Sequence, residues 1–148
     1  MITPKARTTI AAAPREVITF IANPANAPRW MKALEVSELI TPGPIGPGSR
    51  FREVQNAGGQ RIETICEVVA YDGETRYEWK SVGDGPARYG GGFTAVPIVG
   101  GTELRYEGWA TTTGPLAARE AAWARQAQRE AEAELAAIKV AVERGAAD

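Results

Sequence analysis

The chain has 148 residues and carries 17 Lys and Arg against 18 Asp and Glu, so its formal net charge is -1. Such a length indicates one domain, residues 1–148, large enough to bury a hydrophobic core. The balanced charge, with no basic block, argues against a nucleic-acid partner. No apolar run approaches the ~20 residues of a membrane span, and the N-terminus lacks a signal-peptide pattern. We therefore expect a soluble, cytoplasmic protein with no integral membrane segment.

The sequence contains no histidine and one cysteine, Cys66. These counts exclude an internal disulfide, Ser-His-Asp and Cys-His catalysis, and the commonest zinc sites. A single cysteine also fits a reducing compartment. Any chemistry must come from carboxylates, Tyr, Arg, Lys, backbone groups or bound water, so we expect neither a metal nor a cofactor.

In chain order, the apolar pattern first predicts a strand at 6–12. Pro14 opens a short helix that Asn23-Pro24 ends, and a second short helix is expected at 24–31. Alternating residues separated by Gly and Pro then predict six antiparallel strands, at 34–40, 50–56, 61–71, 76–82, 87–96 and 102–110. The turns that join them are expected at 41–48, Gly58-Gly59, Asp72-Gly73, 83–86 and Gly100-Gly101.

Residues 115–144 are rich in Ala, Glu and Arg, which predicts one long helix. Pro115 suits its first position, and Gly145 suits the left-handed residue that ends a helix. One stripe of this helix changes from a carboxylate through small residues to bulky ones, in the order Leu116, Glu120, Trp123, Ala124, Ala127, Ala131, Leu135, Ile138 and Val142. This gradient predicts a core at the C-terminal end and space near the start. Close packing of the alanines against backbone is the alternative.

Strand alternation predicts a sheet face turned toward this helix, and that face is more aromatic and hydroxyl-bearing than aliphatic. Buried Tyr and Trp need partners for their polar atoms, which favours a cavity over a solid core. Trp30 and Trp123 are expected to flank its mouth, although they would serve equally as core anchors. The expected ligand-binding residues are Trp30, Phe51, Thr64, Trp79, Tyr89, Phe93, Trp123, Ala127 and Ala131.

Two carboxylates share the predicted interior. Glu120 lies on the helix stripe, and Glu53 shares the inward parity of Phe51. Burial would raise the pKa of either group and make it a usable general acid or base. The alternatives are an exposed rim for Glu120 and a bulge or strand end that turns Glu53 to solvent. With tyrosines to assist in proton transfer, the expected catalytic residues are Glu53, Glu120, Tyr77 and Tyr106, and Tyr89 could take the place of either tyrosine.

Structural motifs spread over nearly the whole chain resemble those of a known superfamily. They are Ala12-Ala13-Pro14 with Val17, Phe20 and Ile21, then Asn23-Pro24, Trp30, Gly48-Ser49-Arg50-Phe51, Gly100-Gly101-Thr102-Glu103-Leu104 and the long C-terminal helix. In these features the chain resembles the START-like, or SRPBCC, superfamily, within it the polyketide cyclase/dehydrase and lipid-transport group. The resemblance implies an α+β helix-grip (START/Bet v 1-like) fold. In that fold a curved antiparallel sheet of about seven strands surrounds the long helix, two short helices follow the first strand, and a cavity separates sheet and helix.

The resemblance implies little about the reaction, so alternatives stay open. The first is a cofactor-independent polyketide cyclase/dehydratase-like protein that binds an apolar oxygenated small molecule and uses carboxylate and Tyr acid–base chemistry. The second is a non-catalytic protein that binds or transfers a hydrophobic ligand or lipid. The third is a structural or partner-binding domain with a filled core. A hydrophobic small molecule is thus the expected partner, and homodimer formation stays possible.

Overall fold

The computed structural model describes residues 1–57, 59–83 and 87–147. Its strands are β1 Lys5–Ile10, β2 Leu34–Leu39, β3 Arg50–Ala57, β4 Gln60–Tyr71, β5 Arg76–Ser81, β6 Ala87–Ile98 and β7 Gly101–Thr112. Its helices are α1 Pro14–Ala22 and α2 Glu120–Ala147, with 3₁₀ helices at Pro24–Arg29 and Gly114–Arg119. The strands form one antiparallel sheet in the order β1-β7-β6-β5-β4-β3-β2. The predicted sheet of about seven strands is confirmed.

Helix α1 begins at Pro14, whose fixed φ and missing amide suit a first helical turn. It stops before Pro24, because a residue that precedes proline disfavours helical backbone. The Asn23 side chain then accepts a hydrogen bond from the Ala25 amide. The predicted second helix, 24–31, is instead a 3₁₀ helix that ends at Arg29, with Pro28 inside it.

The hairpins follow the predicted turns closely. The pairing of β6 with β7 runs from Ala87 with Thr112 to Ile98 with Gly101, so both strands are longer than predicted. This hairpin closes at Gly100 and Gly101, which both adopt positive φ angles. The other predicted turns include Gly58 and residues 84–86, which lie outside the described residues.

The prediction of one helix over 115–144 is wrong at both ends. The segment Gly114–Arg119 is a 3₁₀ helix with no buried residue, so no core contact fixes it as the start of α2. Gly145 does not end the helix, because its φ is not positive and α2 continues to Ala147. Leu116, predicted on the inward stripe of the long helix, lies instead in this 3₁₀ helix and is 37% exposed.

Helix α2 lies across the sheet nearest β1 and also contacts α1 and β7. Side chains of α2 bond the free edge of β1. Gln128 accepts from the Lys5 amide at 3.1 Å and donates to its carbonyl at 2.7 Å, and Glu143 accepts from the Ala11 amide at 3.0 Å. These bonds fix the height and rotation of the helix over the inner face.

Candidate functional site

Glu53 is a buried carboxylate on the inner face of β3. The register pairs Phe51 with Cys66 and Glu53 with Thr64, so the predicted inward parity of Glu53 is confirmed, and its side chain is only 4% exposed. Its Oε1 accepts a weak hydrogen bond from the Cys66 thiol at 3.7 Å. Burial raises the pKa of Glu53 to about 7, and the bond from Cys66 opposes that shift.

Glu134 is the carboxylate of α2 that accompanies Glu53. Burial raises the pKa of Glu134 to about 8, and the charges of Glu130 and Glu53 add to the shift. The side chain nevertheless keeps some accessible surface. Sequence reasoning missed this residue, although it stands three residues after Ala131 and four before Ile138, a helical spacing that places it on the same face.

Three tyrosines share the interior with these carboxylates. Tyr77 stacks on Phe93 with 6.5 Å between ring centroids, and the Tyr106 ring lies 4.9 Å from Phe93. Tyr89 packs edge-on against Trp79 at 5.8 Å. Burial raises the pKa of all three phenols, that of Tyr89 to about 12, so each keeps its proton at neutral pH and can donate a hydrogen bond.

Tyr106 lies flat against the sheet over a pair of glycines. Gly91 of β6 pairs with Gly108 of β7. A Cβ on Gly91 would come within 2.7 Å of the Tyr106 hydroxyl, and one on Gly108 within 2.6 Å. Only glycine therefore leaves room for this ring, and the pair fixes where the phenol oxygen stands.

Two sets of side chains on α2 and the sheet differ in packing. We call Phe93, Leu104, Leu135, Ile138 and Val142 the packed half, because all five side chains are buried. We call Thr64, Trp79, Tyr89, Trp123, Ala124 and Ala127 the alanine half. Its side chains are only half-buried, although the strand register turns those of the sheet inward.

Two buried polar atoms have no hydrogen-bond partner in the described part of the chain, Trp30 Nε1 and Thr112 Oγ1. Trp30 is 7% exposed and packs edge-on against Phe93 at 5.8 Å, so it is not at an open mouth. An orphaned donor of this kind costs about 1–3 kcal/mol unless a ligand or water satisfies it.

The remaining predicted site residues separate into two groups. Phe51, Phe93 and Ala131 are buried. Glu120 lies away from the Glu53–Glu134 pair, at the first residue of α2, where its Oε1 forms an ion pair with the Met1 amine at 2.6 Å. The helix carboxylate that interacts with Glu53 is therefore Glu134 and not Glu120.

Two surface grooves lie apart from this cluster. One of about 500 Å³ lies between β1 and α2, beside Arg7 and Lys139. Another of about 320 Å³ lies beside Lys80 and Trp109. Within residues 1–57, 59–83 and 87–147, no three Cys, Asp or Glu side chains are placed to hold a metal ion together. No described helix combines the length and apolarity that crossing a membrane requires.

Solved structures share this fold. TTHA0849 from Thermus thermophilus is 22% identical with a TM-score of 0.80, over 97% of this chain and 98% of that one. Ara h 8.0201 is 17% identical with a TM-score of 0.71, over 95% and 96%. The di-domain ARO/CYC BexL from the BE-7585A biosynthetic pathway is 21% identical with a TM-score of 0.77, over 97% of this chain and 47% of that one.

Among curated proteins, no sequence matches this chain significantly. A family model does match it, over residues 1–143, and that family is described as polyketide cyclase / dehydrase and lipid transport. The match covers every described strand and nearly all of α2. The chain therefore belongs to the polyketide cyclase / dehydrase and lipid transport family.

Proposed function

We propose that the alanine half encloses a cavity that binds an apolar, oxygenated small molecule and transfers protons on it without a cofactor. Membership of the polyketide cyclase / dehydrase and lipid transport family supports this general kind of function. BexL, a structural neighbour, is itself an ARO/CYC protein from a biosynthetic pathway. The half-buried side chains of Trp79 and Tyr89 on the sheet, and of the small residues Ala124 and Ala127 on α2, support the presence of space.

The observation that carries the proposal is the pair of carboxyl groups on opposite walls. The sheet presents Glu53, whose pKa is about 7, and the helix presents Glu134, whose pKa is about 8. Both pKa values are raised toward neutral pH, so one carboxyl group of the pair can hold a proton and act as an acid while the other is ionised and acts as a base. A pKa near the working pH is what general acid–base catalysis requires.

This arrangement suits loss of water from a β-hydroxy ketone. Glu53 takes the proton from the carbon next to the carbonyl, and a phenol such as Tyr106 donates a hydrogen bond to the enolate oxygen. Glu134 gives its proton to the hydroxyl group, which leaves as water. The C–H bond electrons become the new C=C bond, and a proton passing through solvent from Glu53 to Glu134 restores the starting state.

The experiment has two stages. First, native mass spectrometry of the protein purified from its own source, followed by extraction, identifies the bound compound. Second, turnover of that compound and of its oxidised or hydroxylated analogues is measured. We expect Glu53→Gln and Glu134→Gln to lower kcat at saturating substrate by roughly 10²- to 10⁴-fold. Glu132→Gln, an exposed carboxylate on the same helix, is the matched control. Full turnover by both interior variants would overturn the catalytic role.

The second candidate is a non-catalytic carrier of a hydrophobic ligand. The orphaned Trp30 Nε1 favours it, because a bound ligand can satisfy this donor without any reaction. If the protein is a carrier, the extracted ligand should be chemically unchanged after prolonged incubation with it. Glu53→Gln and Glu134→Gln should then alter only the affinity for this ligand. Conversion of the cargo by wild-type protein would exclude this candidate.

A further inference from the structure

Positive charge is kept out of the interior. The structure describes all 17 Lys and Arg side chains, and none of them is buried; only Arg52, Arg76 and Lys139 are even half-buried. Each of these three has a partner outside the inner space. Arg52 bonds Glu38 at 2.7 Å, Arg76 bonds Thr94 at 2.8 Å, and Lys139 bonds the Thr9 carbonyl at 2.5 Å.

The two interior carboxyl groups consequently face no cation among the described residues. Glu53 accepts a hydrogen bond from the Cys66 thiol. The charge that most affects Glu134 is that of the carboxylate Glu130 on its own helix. Among the described residues, the other titratable groups that interact electrostatically with Glu53 or Glu134 are all neutral or acidic. They are Cys66 on β4, Tyr77 on β5, Tyr89 on β6, Tyr106 on β7 and Glu130 on α2. An anionic ligand would enter a space that already repels it, whereas a cation would supply the missing counter-charge.

The walls of the same space attract cations for a second reason. Trp79 and Tyr89 form one aromatic corner, and the ring of Tyr106, which packs on the buried Phe93, forms another. Aromatic faces carry negative potential, and they bind organic ammonium groups most strongly where water is excluded. Aromatic rings combined with carboxyl groups that lack a cationic partner in the described chain match the recognition chemistry of a basic amine.

We propose that the ligand carries a protonated amine on an apolar ring system, held by Glu53 and Glu134 against this aromatic wall. Binding exchanges charge, because one carboxyl group releases its proton and the ammonium takes its place. The net charge of the interior then stays the same, and the attraction between carboxylate and ammonium offsets part of the cost of removing both charges from water. This inference rests on the cavity of the proposed function and narrows the class of its ligand.

Three matched probes test it: 2-(1-naphthyl)ethylamine, 2-(1-naphthyl)ethanol and 1-naphthylacetate, which share a ring and differ in charge. Their affinities are measured by titration calorimetry from about pH 6 to about pH 8.5, a range in which the alkylammonium stays protonated. We expect the amine to bind at least about tenfold more tightly than the alcohol at the upper pH, and the carboxylate to bind weakest. The preference for the amine should shrink toward lower pH, as both carboxyl groups become protonated.

Variants separate the two proposals. Glu53→Gln and Glu134→Gln should each reduce the ratio of amine affinity to alcohol affinity, whereas Glu132→Gln should leave this ratio as it is in the wild type. Equal or better binding of the alcohol to the wild type would overturn the amine ligand and leave the cavity supported. Tightest binding of the carboxylate would also overturn it. Failure of all three probes at millimolar concentration would overturn the cavity as well.

Discussion

The packed half and the alanine half are built from the same helix and the same sheet, yet they differ in chemistry. In the packed half, Leu135, Ile138 and Val142 are each at most 6% exposed. In the alanine half, Ala124 and Ala127 take the corresponding helical positions, and the sheet residues of this half include Trp79 and Tyr89, all four being only half-buried. The difference indicates that one half stabilises the fold, so that the other can keep polar groups and small side chains. Variants placed in each half test this separation.

The largest effect is expected in the packed half. Ile138 is fully buried, and Ile138→Ala removes contacts in a region that α1 and the sheet hold rigidly. We expect the free energy of unfolding to fall by about 3 kcal/mol, as measured by urea denaturation. Val140 is 50% exposed on the same helix, and Val140→Ala should cost less than about 0.5 kcal/mol. Similar losses for the two variants would contradict a rigid packed half.

The next effect depends on pH. The pKa of Glu53 is raised from 4.5 to about 7 in the folded state, so folding favours its protonated form. The contribution of protonated Glu53 to the free energy of unfolding is therefore complete below about pH 4.5, and it is lost as the pH rises through about 7. Chemical denaturation of the wild type at a series of pH values should show this loss, to which Glu53 contributes on the order of 2–3 kcal/mol and Glu134, whose pKa is also raised, adds.

Glu53→Gln should make that pH profile shallower, since glutamine does not titrate, and the slope that remains is the contribution of Glu134, whose pKa is also raised. The exposed carboxylate variant Glu132→Gln should keep the wild-type slope, which controls for general charge effects. Parallel profiles for wild type and Glu53→Gln would mean that Glu53 titrates near its ordinary pKa and is not held in a desolvated site.

A matched pair of alanines measures the boundary between the halves. Ala131 is 3% exposed, so Ala131→Leu should overpack its surroundings and cost about 1–3 kcal/mol. Ala127 lies one turn nearer the start of α2 and is half-buried, so Ala127→Leu should cost less than about 0.5 kcal/mol and yet block binding of the naphthyl probes. Equal destabilisation by both would show that the alanine half is solid.

The fold was predictable because its signals are local and repeated. Strand alternation, glycine turns and an Ala-rich helix each predict the same architecture, and the sheet contains all seven expected strands. The ends of the long helix were not predictable in the same way. Gly114–Arg119 has no buried residue, so its choice between 3₁₀ and α geometry rests on small energy differences that residue preferences do not resolve.

The buried position of Glu53 on the sheet was predictable, and that of Glu134 on the helix was not. Period-two alternation has two faces, and Phe51 was enough to assign Glu53 to the inner one. A helix pattern assigns faces less sharply than strand alternation does. Glu134 and Leu135 stand three and four residues after Ala131, so both share its face of α2. Which of them points at Glu53 depends on the rotation of α2, and that rotation is set by distant bonds such as those between Gln128 and Lys5.

The smallest effect is expected at Glu120, the carboxylate that the helix pattern suggested first. Its ion pair with the Met1 amine depends on a long-range contact, because Ile2 pairs with Ala110 and brings the N-terminus to the start of α2. Both partners are partly exposed, so Glu120→Gln should change the free energy of unfolding by less than about 1 kcal/mol in urea denaturation. It should also leave the preference for the amine probe intact. If Glu120→Gln removed that preference and Glu134→Gln did not, the helix would present its acid at the rim, and the alanine half would no longer hold both carboxyl groups.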